Sequence, residues 1–138
     1  MNVEDLIHVR EAFHGHPPGG LVGTWVNALD SVMHLSCDPE SGTITGTYTS
    51  GVRDRQTYEL RGFANATTVA FTVHFASSAS IGSWAGHLDP TTGRLDMLWH
   101  LVAEPHAGEL WDTTFAGFDT FTKTNADDAE SAGDPNIG

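Results

Sequence analysis

From Leu21 to Lys123 apolar and polar positions alternate with a period of two, segment after segment. Such alternation places residues i, i+2 and i+4 on one face of a strand. Gly23, Trp25 and Asn27 share a face, as do Gly46, Tyr48 and Ser50; Phe71, Val73 and Phe75; and Trp84, Gly86 and Leu88. So do Leu95, Met97, Trp99 and Leu101, and Phe115, Gly117, Asp119 and Phe121. The pattern predicts strands over 21–28, 31–37, 43–50, 56–63, 68–76, 82–89, 94–102 and 112–122. Turn-forming sequences separate them, among them Asp38-Pro39-Glu40-Ser41-Gly42, Asn65-Ala66 and Asp89-Pro90-Thr91-Thr92-Gly93. No helical period survives in this region. Eight antiparallel strands joined by hairpins predict an all-β, up-and-down barrel, which leaves no open edge. Its interior would hold one small ligand.

The flanks read differently. Residues 1–20 are expected to form a flexible arm. Val3, Leu6, Ile7 and Arg10 hint at one or two helical turns, and Pro17-Pro18-Gly19-Gly20 breaks them. Residues 124–138 are small, acidic and punctuated by Gly and Pro, which predicts a disordered tail. The expected organisation is therefore an arm (1–20), one barrel domain (21–123) and an acidic tail (124–138). His8, His14 and His16 could hold a metal only loosely, and a solvated arm without metal is the expectation.

Charge and cysteine usage narrow the partners. The formal charge is −12, with only 6 Lys and Arg, which argues against nucleic acid or an anionic membrane. Asp127, Asp128, Glu130 and Asp134 place part of that charge in the tail. Cys37 is the sole cysteine, so no intrachain disulfide forms. No segment is long and apolar enough to span a membrane. Met1 to Arg10 contains Glu4 and Asp5 and no continuous apolar run, so no signal peptide is read there. Asn65-Ala66-Thr67 is a glycosylation sequon at a hairpin tip, meaningful only in a eukaryotic secretory route.

The inner face carries the candidate chemistry. Asn27, Ser31, Tyr48, Ser50 and Asp119 are polar groups on predicted inner positions or strand ends. Buried polar groups must be paired. These five could satisfy one another, or they could await a ligand. Ser31, Tyr48 and Asn27 offer three donors that suit one carbonyl or urea oxygen, while Asp119 and Ser50 can accept from N–H groups. A cyclic urea presents that pattern. Phe75, Trp84 and Trp99 could box an apolar ring, and Trp25 reads as core at the closed end.

The segments GLVGTWVNALDS, TITGTYTSG, FTVHF, SWAGHL, MLWHLV and DTFTK, in this order and spacing, resemble the avidin/streptavidin family over residues 20–123. The resemblance implies a streptavidin-like barrel that binds biotin with no cofactor and no catalysis. It implies that Asn27, Ser31 and Tyr48 donate to the ureido oxygen, and that Asp119 and Ser50 accept from the ureido N–H groups. Trp84 and Trp99 match pocket tryptophans, and Ser80 matches a serine that contacts the biotin carboxylate. Trp111 matches a tryptophan lent to a neighbouring subunit's site. The implied assembly is a homotetramer, a dimer of dimers, and the implied localisation is secreted. Two positions depart from the pattern. Phe75 stands where most relatives have a pocket tryptophan, and Gly82 where relatives often place a threonine near the sulfur. The loop 51–55 carries Arg53 and Arg55, either of which could pair with the carboxylate.

Two other readings are open at this stage. A lipocalin-like carrier would need a wide, mostly apolar cavity instead of a dense polar cluster. A small-barrel enzyme would need a general base, most often His. Strand parity points His34, His74, His87 and His100 outward, which leaves Asp119 as the obvious inward titrating group. On the outer face, Leu98 and Val102 call for cover by a symmetric partner.

Overall fold

The structure, a computed structural model, describes residues 2–10, 15–52, 55–105 and 110–124. One helix, α1 (Val3–Arg10), precedes eight strands: β1 (Gly23–Val26), β2 (Val32–Cys37), β3 (Thr43–Thr49), β4 (Thr57–Asn65), β5 (Thr68–Phe75), β6 (Ser80–Leu88), β7 (Leu95–Ala103) and β8 (Thr114–Thr124). Each strand pairs antiparallel with its neighbour in sequence, and β1 closes on β8 through Trp25↔Lys123 and its flanking pairs. The result is the expected eight-stranded up-and-down barrel. The sheet closes on itself, so no strand is left as an open edge.

Strand ends differ from the periodicity where a side chain or a turn takes over. β1 stops at Val26 because Asn27 folds into a turn: its Oδ1 accepts from the Leu29 and Ser31 amides at 3.1 and 2.9 Å. Asp30, at φ 62°, completes the reversal in a left-handed conformation that Asp tolerates. β6 begins at Ser80, two residues ahead of the predicted start, after a short 3₁₀ turn over Ala76–Ser78. A second 3₁₀ turn, Leu110–Thr113, delays β8 to Thr114.

Two hairpins show how directly local sequence sets geometry. In Asp38–Gly42 and Asp89–Gly93 the aspartate Oδ1 accepts the amides two and three residues on. The glycine amide donates to the aspartate carbonyl at 2.9 and 2.7 Å. Gly42 and Gly93 sit at φ 76° and 73°, where a Cβ would be strained. Pro follows the aspartate in both, fixing φ for the turn.

The closed end of the barrel is the core. Leu21, Trp25, Met33, Ile44, Leu60, Leu95 and Phe121 are all 0 % exposed. Burying each large side chain contributes about 1.5–3 kcal/mol. Trp25 would bury an unpaired indole N–H, but Nε1 donates to the Leu21 carbonyl at 2.8 Å. Lys123 Nζ lies 5.9 Å from the Trp25 ring centroid and donates to the Gly20 carbonyl. Upstream, the Ala66 amide donates to the His16 carbonyl, which ties the segment before Leu21 to the β4–β5 hairpin.

On the outer face, the β6–β8 register places Ala85, Leu98 and Phe118 in one row and Ile81 and Val102 in another. Leu98, Val102, Ile81 and Phe118 are exposed, Phe118 to 85 %. Helix α1 also leaves Val3, Leu6 and Ile7 exposed.

Candidate functional site

The open end of the barrel holds a cavity of about 700 Å³. Asn27, Phe75, Ser80, Trp84, Trp99 and Asp119, six of the residues singled out from sequence, share its wall. Each arrives by strand parity except Asn27, which the β1–β2 turn supplies.

Asp119 is the polar centre. Its Oδ2 accepts from Asn27 Nδ2 and from Trp84 Nε1, each at 3.2 Å. The turn fixes Asn27, since its Oδ1 is held by two backbone amides and its Nδ2 is thereby left to face Asp119. Trp84 is buried on β6 and stacks on Phe71 with ring centroids 5.3 Å apart. The carboxylate is therefore oriented by two donors, one from the β1–β2 turn and one from β6, and neither donor titrates. Among the described residues Oδ1 carries no hydrogen bond, so it remains an acceptor for a ligand N–H.

Ser31 and Tyr48 are buried behind this wall, at 4 % and 8 % exposure. Burial pushes the Tyr48 phenol above its ordinary value, hydrogen bonding with Ser31 pulls the other way, the Asp119 charge pushes it further up, and Asn27 opposes. The phenol is thus within reach of Ser31, Asn27 and the field of Asp119, as the inner-face pattern predicts. Ser31 Oγ also accepts from the Gly51 amide at 3.0 Å, fastening the β3–β4 loop.

Ser50 is placed less directly. It follows β3 and its hydroxyl exchanges hydrogen bonds with the Val52 amide and carbonyl at 3.3 and 3.4 Å. Its side chain shapes the loop that brings Val52 to the cavity. Trp111 lies in the 3₁₀ turn before β8, and its side chain is outside the described residues, as is Arg53. Arg55 is exposed in the β3–β4 loop.

The aromatic wall is closely packed at Phe75 and Gly82. Phe75 meets Tyr48 edge-on at 5.9 Å and lies 6.5 Å from Trp84. A Cβ at Gly82 would come within 3.0 Å of both the Phe75 and Trp84 rings. The glycine lets these two rings close over the β6 backbone, so a threonine there would force them apart. Gly117 acts similarly for Trp99: a Cβ would lie 2.6 Å from the indole, whose Nε1 donates to the Phe118 carbonyl at 3.1 Å.

Some lining residues escaped the sequence reading. Leu29, Val52 and Ser78 border the cavity from loops, where periodicity gives no signal. Leu101 was on a recognised inner face but was not singled out. His100 also borders the cavity, although its position alternates to the outer face. Tyr58, directly opposite Tyr48 in the β3–β4 ladder, packs on Phe75 and was missed altogether.

The model of the avidin family matches residues 17–124. The crystal structure of xenavidin is similar at 32% identity and a TM-score of 0.66, covering 75% of this chain and 96% of xenavidin. A structure of apo shwanavidin is 26% identical at a TM-score of 0.64, covering 75% of this chain and 100% of that one. A shwanavidin variant solved as a biotin complex shares the fold at 24% identity and a TM-score of 0.64, covering 75% of this chain and 97% of that one.

Proposed function

We propose, from the premise that this chain belongs to the avidin family, that the open end of its barrel binds biotin and performs no chemistry on it. The observation that carries this reading is the orientation of Asp119. Two neutral donors hold Oδ2, and Oδ1 is left to accept a ureido N–H. Asn27, Ser31 and Tyr48 cluster beside it and supply donors for the ureido oxygen. Phe75, Trp84, Trp99 and Leu101 form the apolar wall for the thioether ring and the aliphatic chain. Ser78 and Ser80 stand together at 2.8 Å, where the carboxylate end of the ligand emerges. Ser50, through its grip on Val52, positions the loop beside the site. Catalysis is disfavoured because both hydrogen-bond partners of Asp119 are donors that do not titrate, so no acid–base pair is assembled around it.

The same reading extends to assembly. The exposed row Leu98–Phe118, with Ile81 and Val102, is an apolar patch that a second copy would cover. We read it as part of a homotetramer built as a pair of dimers, with Trp111 completing a neighbour's site.

The test is calorimetric titration with biotin alongside thermal melting. Binding should release heat and raise Tm with the logarithm of free biotin. No heat and an unmoved Tm at excess biotin would refute the reading.

A further inference from the structure

Tyr58 is an inner-face residue that no ligand contact accounts for. It is second in β4 and directly opposite Tyr48, yet it does not line the cavity. Its ring meets Phe75 edge to face, with centroids 4.9 Å apart and planes at 74°. Phe75 therefore packs edge-on against both tyrosines, with Tyr58 on the strand between Tyr48 and Phe75. The phenol oxygen does a second job. It donates to Gln56 Oε1 at 3.0 Å and lies 3.0 Å from Ser77 Oγ. With its proton committed to Gln56, the phenol accepts from the Ser77 hydroxyl. Ser77 lies in the 3₁₀ turn Ala76–Ser78, which connects Phe75 to Ser80. The next residue, Ser78, bonds the Ser80 hydroxyl at 2.8 Å and the Phe75 carbonyl at 3.3 Å. Ala79, between the two serines, is in the left-handed region at φ 50°, a conformation that a non-glycine residue keeps only when its surroundings hold it.

We infer that Tyr58 is a positioning residue that fixes the β5–β6 turn, so that the Ser78–Ser80 hydroxyl pair is held in place and turns the proton that Ser78 gives to the Phe75 carbonyl toward an anionic ligand tail. This rests on the biotin reading above. The phenol tether and the ring packing act on different parts of the ligand. The tether sets the serine pair and hence the carboxylate end. The ring sets Phe75 and hence the apolar body. Side-chain tethers of this kind gain affinity by removing the cost of ordering a loop on binding.

The experiment compares biotin with biotin carboxamide, which keeps the ring system and loses the negative charge, by off-rate on wild type, Tyr58→Phe and Ser77→Ala. Tyr58→Phe keeps the ring and removes the tether; Ser77→Ala removes the same hydrogen bond from the other side and leaves Tyr58 intact. Both should release biotin about three- to fivefold faster, the scale of one partly exposed hydrogen bond. Both should release the carboxamide at the wild-type rate, and Tm should fall by at most a few degrees, since each variant loses a hydrogen bond of the free protein. Equal acceleration for the two ligands, or no acceleration for biotin in either variant, would overturn the assignment. Wild type that binds neither ligand would instead refute the biotin reading itself.

Discussion

The two ends of this barrel obey one alternation rule and use it for opposite purposes. At the closed end the inward positions are Trp25, Met33, Ile44, Leu60, Leu95 and Phe121, none exposed, and the one buried donor is satisfied by the main chain at Leu21. At the open end the inward positions become Asn27, Tyr48, Trp84, Trp99 and Asp119; Asn27 and Trp84 both donate to one Asp119 oxygen and leave the other acceptor over. The closed end maximises apolar burial and supplies stability. The open end places polar groups where a core would exclude them, a cost that only a ligand repays. Stability and binding should therefore separate by position along the barrel axis.

Truncation at the closed end tests this with the largest effect. Phe121→Ala removes a fully buried ring that faces Phe71 at 6.4 Å. It should cost about 3–5 kcal/mol of unfolding free energy. The fraction that remains folded should bind biotin as wild type does. A large change in biotin affinity with unchanged stability would break the distinction between the ends.

The converse variant is Asp119→Ala. It should weaken biotin by about 2–4 kcal/mol, because a ureido N–H then goes unpaired in a dry pocket while Asn27 and Trp84 lose their acceptor. Unfolding stability should fall by less than the affinity does, since removing a partly buried carboxylate offsets part of the cost of leaving the Asn27 and Trp84 donors without an acceptor. Calorimetry and urea melts on the same preparation give both numbers. A loss of stability equal to the loss of affinity would show Asp119 to be structural.

A smaller effect is expected at Phe75. Phe75→Trp should slow biotin release by about three- to tenfold, because a larger ring buries more of the ligand. Unchanged or faster release would mean that the wall is already full and that the added ring overpacks it.

How much of this was legible beforehand follows the same division. The barrel, its strand order and the inner faces could be read from period-two alternation and from the two Asp-Pro turns, because each depends on near neighbours in sequence. The pairing of Asn27 and Trp84 on one oxygen of Asp119 could not, since it joins β6, β8 and the β1–β2 turn and depends on register. Ser50 shows the limit of parity: its alternation points inward, but it is the residue after β3, where the loop captures its hydroxyl. Tyr58 was visible in principle. It shares parity with Leu60 in β4, and the hairpin register sets it against Tyr48. Ser78 and Val52 carried no such signal, because turns place side chains by backbone geometry and not by period.

The smallest expected effect lies in the pH dependence, and it also divides by end. Asp38 and Asp89, in the closed-end hairpins, are held below the ordinary carboxylate value of 3.8, chiefly by the backbone amides they accept from. A lowered folded value means that their stabilisation is complete above the ordinary value and is lost as pH falls through the lowered one. Tyr48, at the open end, is raised above its ordinary value of 10.0, chiefly by burial. Its contribution is complete below that value and is lost as pH rises through the raised one, where a phenolate would have to form beside Asp119. Urea midpoints across pH should therefore fall on an acid limb and on an alkaline limb with separate causes. The Asp38→Asn, Asp89→Asn double variant keeps an acceptor in each turn and should flatten the acid limb alone. Tyr48→Phe should flatten the alkaline limb alone. If either variant moved the opposite limb, the two ends would be coupled through the strands, and the separation of stability from binding along the barrel would be wrong.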